Sequence, residues 1–283
     1  MKVAVLGATG FVGGHLAAAL AARGDHVRAL SLKDPEDAAA QANGCDVVVN
    51  LAGAPIAQKW SDEVKRELLE SRTVLPQRFL DALAKQPEIP KAYISASAIG
   101  YYGYSSDATF TESDGPGSDF LAGVCAQWEA TARKAGALDM RVACVRSGVA
   151  LGRDGGALAK MLPPFKMGVG GIVGNGKQWF SWIHIDDLIG IYLLAIDGAD
   201  GALNATAPNP VTNAAFTKAL GEAIHRPSFL PVPTFALRAM LGEGADALLN
   251  GQRVVPKRPL ELGYAFKYPT VDLALAEMTS ASP

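Results

Sequence analysis

The chain opens on an unbroken apolar run, Val3-Ala-Val-Leu6. Such a run predicts a strand covered on both faces, as in a parallel sheet. Gly7, Gly10 and Gly13 follow at G-x-x-G-x-x-G spacing, and the Ala- and Leu-rich stretch Gly14 to Arg23 predicts a helix. Short apolar runs and helical stretches then alternate. His26–Ser31 predicts the second strand. Asp34–Gly44 is Ala-rich, acidic and brief for a full crossover, so one strand of the usual set is expected to be shortened or lost. Asp46–Gly53 predicts a strand ending in Asn50-Leu-Ala-Gly53. Ser61–Lys85 reads as one long helix, capped by Ser61, with Pro76 kinking or breaking it. Lys91–Ser97 and Met140–Arg146 predict strands, with a helix over Asp119–Gly136 between them. A short helix is expected between Gly155-Gly156 and Pro163-Pro164. Trp179–Asp187 predicts a strand and helix cap, Ile185–Ala195 a helix, and Ala202–Thr206 a further strand. The alternation predicts an α/β fold, a Rossmann-like doubly wound parallel sheet.

From Pro208 the pattern changes. Proline-rich turns separate two helical runs, Asn213–His225 and Phe235–Leu249. Arg253–Arg258 is basic, and Thr270–Met278 predicts a final short helix. Two domains are therefore expected. Residues 1–207 form the dinucleotide-binding domain, with 155–180 lending loops to the substrate side. Residues 208–283 form a small, mostly helical C-terminal substrate domain. The loops Tyr101–Pro116 and the glycine-rich Phe165–Gly176 follow strand ends and are expected to act as lid or binding loops.

The length of 283 residues and the 49% hydrophobic content support a large core. Net charge is −2, with no basic patch, so neither nucleic acid nor a membrane surface is expected as a partner. No apolar run is long enough for a membrane span, and the first one is too short for a signal peptide. The 3 cysteines are widely spaced, without a C-x-x-C pair, which predicts free thiols in a reducing, cytoplasmic compartment. The 4 histidines are scattered, so no metal site is expected.

The strand, glycine turn and helix together make a cradle for a pyrophosphate. Absent side chains let the backbone approach, and the first helical N–H groups carry partial positive charge. The cradle residues are Gly7, Thr9, Gly10, Phe11, Val12 and Gly13. An NAD-selective site usually ends the second strand with an acid on the ribose hydroxyls. Here Ser31, Leu32 and Lys33 stand there, and the first acid is Asp34. Ser31 and Lys33 suit the 2′-phosphate of NADP, though Lys33 reads equally well as a solvated loop charge. Leu51, Ala52 and Gly53 leave room for adenine and ribose at a strand end, or form a plain tight turn. Arg72 stands on the crossover helix that passes the cofactor, although an Arg there is usually a surface residue. Ser95 at the next strand end is a further cofactor candidate. Ser97, Tyr101 and Tyr102 cluster beyond that end, where open α/β sheets bind ligands, and are the catalytic candidates. Glu112, Trp179, Trp182 and His184 are assigned to the substrate. The plainer reading of Trp179–Asp187 is a strand and a helix cap.

These residues resemble the extended short-chain dehydrogenase/reductases, in the glycine motif, Asn50-Leu-Ala-Gly53, the Ser97/Tyr101 cluster and Trp182-Ile-His-Ile-Asp-Asp187. More narrowly, Ser97-Ala-Ile-Gly-Tyr-Tyr-Gly103, Asp119-Phe-Leu-Ala122, Gly155-Gly-Ala-Leu158, Gly176–His184, Asn204–Pro210 and Arg253-Val-Val-Pro256 resemble "epimerase family" oxidoreductases with a C-terminal domain of unknown function. The resemblance implies a Rossmann core, NADP (NADPH) as cofactor and a small-molecule substrate. A sugar nucleotide comes only by superfamily analogy. Three features depart from the pattern. The superfamily's Tyr-x-x-x-Lys falls on Cys125-Ala-Gln-Trp-Glu129, the usual Arg after the second strand is Leu32, and the segment before Asp46 is short. Two functions stay open: hydride transfer by an NADP-dependent oxidoreductase or epimerase, and a non-catalytic NADP-binding sensor or partner-binding protein. The partners expected are a small molecule and, at most, a second copy in a homodimer.

Overall fold

The computed structural model describes residues 1–228 and 230–280. The first half runs β1 (Lys2–Leu6), α1 (Phe11–Ala22), β2 (His26–Leu30), α2 (Pro35–Ala42), β3 (Val47–Asn50), α3 (Asp62–Glu70), α4 (Val74–Leu83), β4 (Ala92–Ala98), β5 (Thr109–Phe110), α5 (Phe120–Arg133) and β6 (Arg141–Ser147). It continues through β7 (Val149–Leu151), α6 (Gly156–Lys166), β8 (Trp179–Phe180), β9 (Trp182–His184), α7 (Ile185–Asp197) and β10 (Gly201–Ala205). The rest comprises β11 (Val211–Thr212), α8 (Asn213–Ala223), α9 (Thr234–Leu241), α10 (Asp246–Leu249), β12 (Arg253–Val254), α11 (Lys257–Glu261) and α12 (Val271–Thr279).

Six strands form one parallel sheet in the order β10-β6-β4-β3-β1-β2. Helices cover both faces, as the near-continuous apolar strands require. Along β1, Val3 and Val5 enter a core with α1 and α7, while Ala4 and Leu6 enter a second core with α2 and α4. The chain leaves β1 toward β2, then crosses back to place β3 on the other side of β1. This reversal is the topological switch point, where such sheets open a crevice beyond the strand ends. The single helix α2 links β2 directly to β3, and β2 is the sheet edge. The brief Asp34–Gly44 segment thus has its consequence in a sheet without the outer strand of the 3-2-1-4-5-6 order.

Several segments differ from their expected form. Ser61–Lys85 is two helices, and the break at residues 71–73 precedes Pro76. The hydroxyls of Ser71 and Thr73 donate to the Leu68 and Leu69 carbonyls, which competes with helix continuation. Pro76 then lies in the first turn of α4, where its missing N–H costs nothing. Pro163 and Pro164 lie inside α6 and do not end it. Their carbonyls still accept from Met167 and Val169. Trp179–His184 is two short strands in different ladders: β8 pairs with β11 and β9 with β7. Part of the Tyr101–Pro116 loop is β5, paired with β12. That pairing joins segments too distant in sequence for any local pattern to show it.

The C-terminal helices α8 and α12 share a core with Leu151, Leu158, Phe165 and Trp182. Asp187, fully buried, fastens the chain between α11 and α12. It accepts from the Tyr264 hydroxyl and from the backbone N–H groups of Lys267 and Tyr268. Among the described residues no helix is long and apolar enough to cross a membrane. Replacing Asp187 by Ala strands two backbone donors and should cost about 2–4 kcal/mol. A denaturant melt should show a lower midpoint; an unchanged midpoint contradicts this fastening role.

Candidate active site

The glycine turn is shaped by contact as much as by conformation. Gly7 has φ 84°, in the left-handed region, and a Cβ there would come within 3.0 Å of the Ala52 nitrogen. A Cβ on Gly13 would stand 2.2 Å from the Gly7 carbonyl oxygen. Gly10 is the N-cap of α1, and no side chain caps the helix. The first-turn N–H groups of Phe11, Val12 and Gly13 are therefore left for a ligand, the arrangement that favours phosphate. Thr9 is exposed beside this turn. The Phe11 ring packs so closely on Gly152, Gly155 and Gly156 that a Cβ at any of them would lie within 2.9 Å of it. Its side chain is thus a packing element, and only its backbone belongs to the cradle.

Across the switch point, Asn50 is fully buried. Its Nδ2 donates to the Tyr93 hydroxyl at 2.9 Å, and its Oδ1 accepts from the Ala52 N–H at 3.1 Å. This fixes the path of Leu51, Ala52 and Gly53 opposite Gly7. At the end of β2, Ser31 and Lys33 are exposed, and the Ser31 hydroxyl accepts from the Lys33 N–H. Asp34 is committed to capping α2, accepting from the Asp37 N–H at 3.0 Å. Leu32 points into the core. The donors present fit a dinucleotide with a 2′-phosphate: an uncapped helix start, a bare glycine turn, and a β2 end with a cation and no free acid.

Beyond β4 the structure gathers a buried polar network that centres on Arg146, a residue absent from the sequence-based site. β4 and β6 pair with Ser97 opposite Arg146. Arg146 donates from Nε to Glu129 Oε1 at 2.7 Å and from Nη2 to Glu129 Oε2 at 2.9 Å. Glu129 is fully buried and also accepts from Ser97 Oγ at 2.8 Å and Arg133 Nη2 at 2.7 Å. Both carboxylate oxygens of Glu129 are thus committed to partners within the protein. For Arg146, burial alone would favour the neutral form, but the Glu129 pair outweighs it and holds the guanidinium above its ordinary value. The sequence signal was a charged residue directly after the apolar run Val142-Ala-Cys-Val145 of β6, which must find a partner once buried.

The catalytic candidates separate here. Tyr102 is a core residue. Its hydroxyl donates to Asn204 Oδ1 at 2.6 Å and accepts from Arg146 Nη1 at 2.8 Å, and burial pushes it up to about 12. Tyr101 is 9% exposed, and no described residue bonds its hydroxyl. Its ring lies under the Arg146 guanidinium, 3.5 Å from Cζ to the centroid. Ser97 is held beside them by Glu129. Ser95 is corrected: it lies deeper, 1% exposed, and its hydroxyl donates to the Ala96 carbonyl. Cys125 is shut away from solvent, and burial, then Glu129, push its thiol up to about 12.

The substrate candidates are also redistributed. Trp182 is fully buried in the core shared with α8 and α12, so no ligand reaches it. His184 is the N-cap of α7, with Nδ1 accepting from Asp186 and Nε2 bonded to Glu277 Oε2 at 3.1 Å. Both ring nitrogens are taken. Glu112 accepts from the Asn204 N–H at 2.9 Å, closing the free edge of β10, and burial raises its pKa. Trp179 is partly exposed. It donates to the Ser106 carbonyl and stacks with Arg253 at 4.9 Å, clamping three segments together. In this structure Trp182, His184 and Glu112 all serve to fasten elements together, and Glu112 Oε2 is buried without a partner.

A doubly wound sheet with this switch-point cradle defines a dinucleotide-binding fold of the Rossmann type. The profile of the NAD dependent epimerase/dehydratase family matches residues 3–207, and the chain belongs to that family. A domain of unknown function (DUF1731) matches residues 232–278. Within the family, the chain is similar to an Arabidopsis thaliana chloroplastic homologue of epimerase family protein SDR39U1. The two are 45% identical over 298 residues, 97% of this chain and 86% of the other. The crystal structure of human epimerase family protein SDR39U1 (isoform2) with NADPH matches with a TM-score of 0.92 at 38% identity, over 99% of each chain. Thermus thermophilus UDP-glucose 4-epimerase, solved with NAD, shares the fold, with a TM-score of 0.81 at 19% identity over 100% of both chains.

Removing one member of the buried pair should be severe. Glu129→Ala leaves Arg146 buried and uncompensated, and should lose about 3–5 kcal/mol. Exposed Arg133→Ala should lose far less, since the buried guanidinium keeps its partner. Urea unfolding of both variants checks the contrast, and similar losses would count against it.

Proposed function

We propose that the chain is an NADPH-dependent oxidoreductase that reduces, or oxidises and re-reduces, a small carbonyl or hydroxyl compound beyond the ends of β3, β4 and β6. The observation that carries this reading is the uncapped start of α1 behind Gly7–Gly13, facing the fixed turn Leu51–Gly53. Ser31 and Lys33, with Asp34 withdrawn into a helix cap, favour the 2′-phosphate. The NADPH found in the human relative supports the same choice. The C-terminal segment from residue 208 is read as the substrate side.

When bound, NADPH supplies a hydride. Tyr101 supplies the proton: its free phenol gives H⁺ to the substrate oxygen as the new C–H bond forms at the carbonyl carbon. The phenolate left behind stays under the Arg146 guanidinium, which packs on its ring. In the oxidative direction the same phenolate removes the hydroxyl proton. Ser97, whose O–H is donated to Glu129, offers lone pairs to a substrate hydroxyl and positions it. Tyr101, positioned by its contact with Arg146, thus takes the proton-donor place of the missing tyrosine. A second reading, a cofactor-dependent sensor or partner-binding protein, draws on the inert state of Cys125 and the full pairing of Glu129.

Calorimetric titration should show NADPH binding more tightly than NADH; equal affinities defeat the 2′-phosphate argument. With a substrate found by screening carbonyl compounds for NADPH consumption, Tyr101→Phe should lower turnover by about 10²–10⁴-fold. Cys125→Ser should keep most activity. NADPH binding with no turnover across the screen favours the sensor. Cys125→Ser as inactive as Tyr101→Phe would move the chemistry to the thiol.

A further inference from the structure

Between Pro233 and Asn250 the chain makes α9, the turn Gly242–Ala245 and α10. This piece is lightly packed. No residue of α9 or α10 is buried, and across residues 231–250 only Gly244 and Ala245 are. Phe235 and Met240 of α9 are 77% and 70% exposed. An element with so little buried surface takes its position from a few attachments. Its ends are held to the body. Before it, the Val232 N–H donates to the Ile172 carbonyl at 2.8 Å, and after it the Ser105 N–H donates to the Gly251 carbonyl at 3.0 Å. Near its far end Gln178 Nε2 donates to the Leu248 carbonyl at 3.1 Å.

The remaining attachment is in the middle and reaches the dinucleotide-binding unit. The Trp60 N–H donates to the Leu241 carbonyl at 3.3 Å. A Cβ on Gly244 would stand 2.9 Å from the Gln58 carbonyl oxygen and 3.0 Å from both Cδ1 and Nε1 of Trp60. The φ of Gly244 is not in the left-handed region, so this close approach, and not its conformation, requires the missing side chain. Trp60 Nε1 donates within its own segment, to the Ile56 carbonyl at 3.0 Å, and the ring meets Phe120 edge-on at 5.3 Å. Lys65 pairs with Glu243 across the same seam, but the Glu243 side chain is 70% exposed, so the pair adds little.

The seam lies on the rim of the crevice. A chain that leaves a parallel strand at its carboxyl end runs back beside the sheet, so the helix that follows starts at that edge. Residues 54–60 lead from β3 to the start of α3. Phe120 opens α5, whose next residue, Leu121, lies against Gly100 in the turn after β4. Further along the same edge is α10. Burial raises the pKa of the Tyr104 phenol, and Asp119 at the start of α5 and Asp246 of α10 raise it further. Tyr104 stands three residues after Tyr101. The lightly packed piece therefore bridges from the segment after Gly53 to the segment after Tyr101, the two sides of the candidate site.

We propose that residues 234–249 are a lid over the switch-point crevice, latched by Trp60 in the Gly242–Gly244 socket, and that release of the latch lets the dinucleotide enter and leave. The inference rests on the oxidoreductase reading for the ligand and on packing alone for the latch.

Two variants open the latch from opposite sides. Trp60→Ala empties the socket. Gly244→Ala obstructs it and leaves the backbone of the open lid unstrained. Phe235→Ala, on the exposed face of the lid, is the control. Thermal melts establish that each variant is folded, and Gly244→Ala serves should Trp60→Ala fail to fold. In the ligand-free protein, hydrogen exchange should rise together in residues 234–249 and 54–60 of both latch variants, with the strands of the sheet unchanged. Stopped-flow release of NADPH should be about 10-fold faster in both and unchanged in Phe235→Ala. Exchange equal to that of the wild type overturns the latch. Raised exchange with an unchanged release rate overturns the lid and leaves Trp60 a fastening residue. Should the wild type bind no NADPH, the oxidoreductase reading fails and the gating role with it, while the exchange contrast still decides the latch.

Discussion

The buried pair of Glu129 and Arg146 is the interaction on which the carboxyl end of the sheet depends. Taking two such ions out of water costs several kcal/mol each, and their attraction offsets this only with good geometry and satisfied lone pairs. Here the pairing is bidentate, and the remaining capacity is used by Ser97, Arg133 and Tyr102. Each of these partners comes from a different place: the end of β4, the outer face of α5, and the turn after β4. The pair therefore sets the spacing between α5 and two central strands. It also decides which tyrosine is a structural member and which keeps a free hydroxyl.

From this point the order passes outward through hydrogen bonds to backbone. Tyr102 holds Asn204, whose Nδ2 donates to the Val255 carbonyl, and Thr206 donates to the carbonyl of Val254. Ser181 donates to the Gln252 carbonyl and accepts from the Val254 N–H. The segment around β12 is thus stitched to the sheet by side chains that have no apolar alternative partner. The two buried arginines differ in one respect. Arg146 is complete within the protein, and its role is to hold elements and a phenol in place. Arg72 has only neutral partners for its Nη groups, and its Nε is buried without one.

The fold class was legible because its signals are local. An apolar run, a glycine triplet and an Ala/Leu stretch each describe neighbours in sequence, and hydrophobic periodicity and helix propensity act at that range. The cradle at Gly7–Gly13 and the capping of α3 by Ser61 were readable for the same reason. The break in Ser61–Lys85 was misplaced because a proline in the first turn of a helix and one that breaks it look alike without the backbone. The site beyond β4 was only half legible. Hydroxyls at a strand end could be named, but not sorted, since Tyr101 and Tyr102 are adjacent and chemically identical.

What the sequence determined by itself is the strand–turn–helix start, the alternation that builds a doubly wound sheet, the family, and the absence of the usual Tyr-x-x-x-Lys. What the tertiary structure decided is the use of every polar side chain away from the cradle. Trp182, His184 and Glu112 became core, cap and edge closure, and Arg146 became the centre of the site. The physical reason is that a buried polar group is defined by its partner, and these partners lie between 17 and 102 residues apart in the chain. Sequence patterns describe which residues must be buried or exposed. They do not describe which buried donor meets which acceptor, and that meeting separates a fastening residue from one free to meet a ligand.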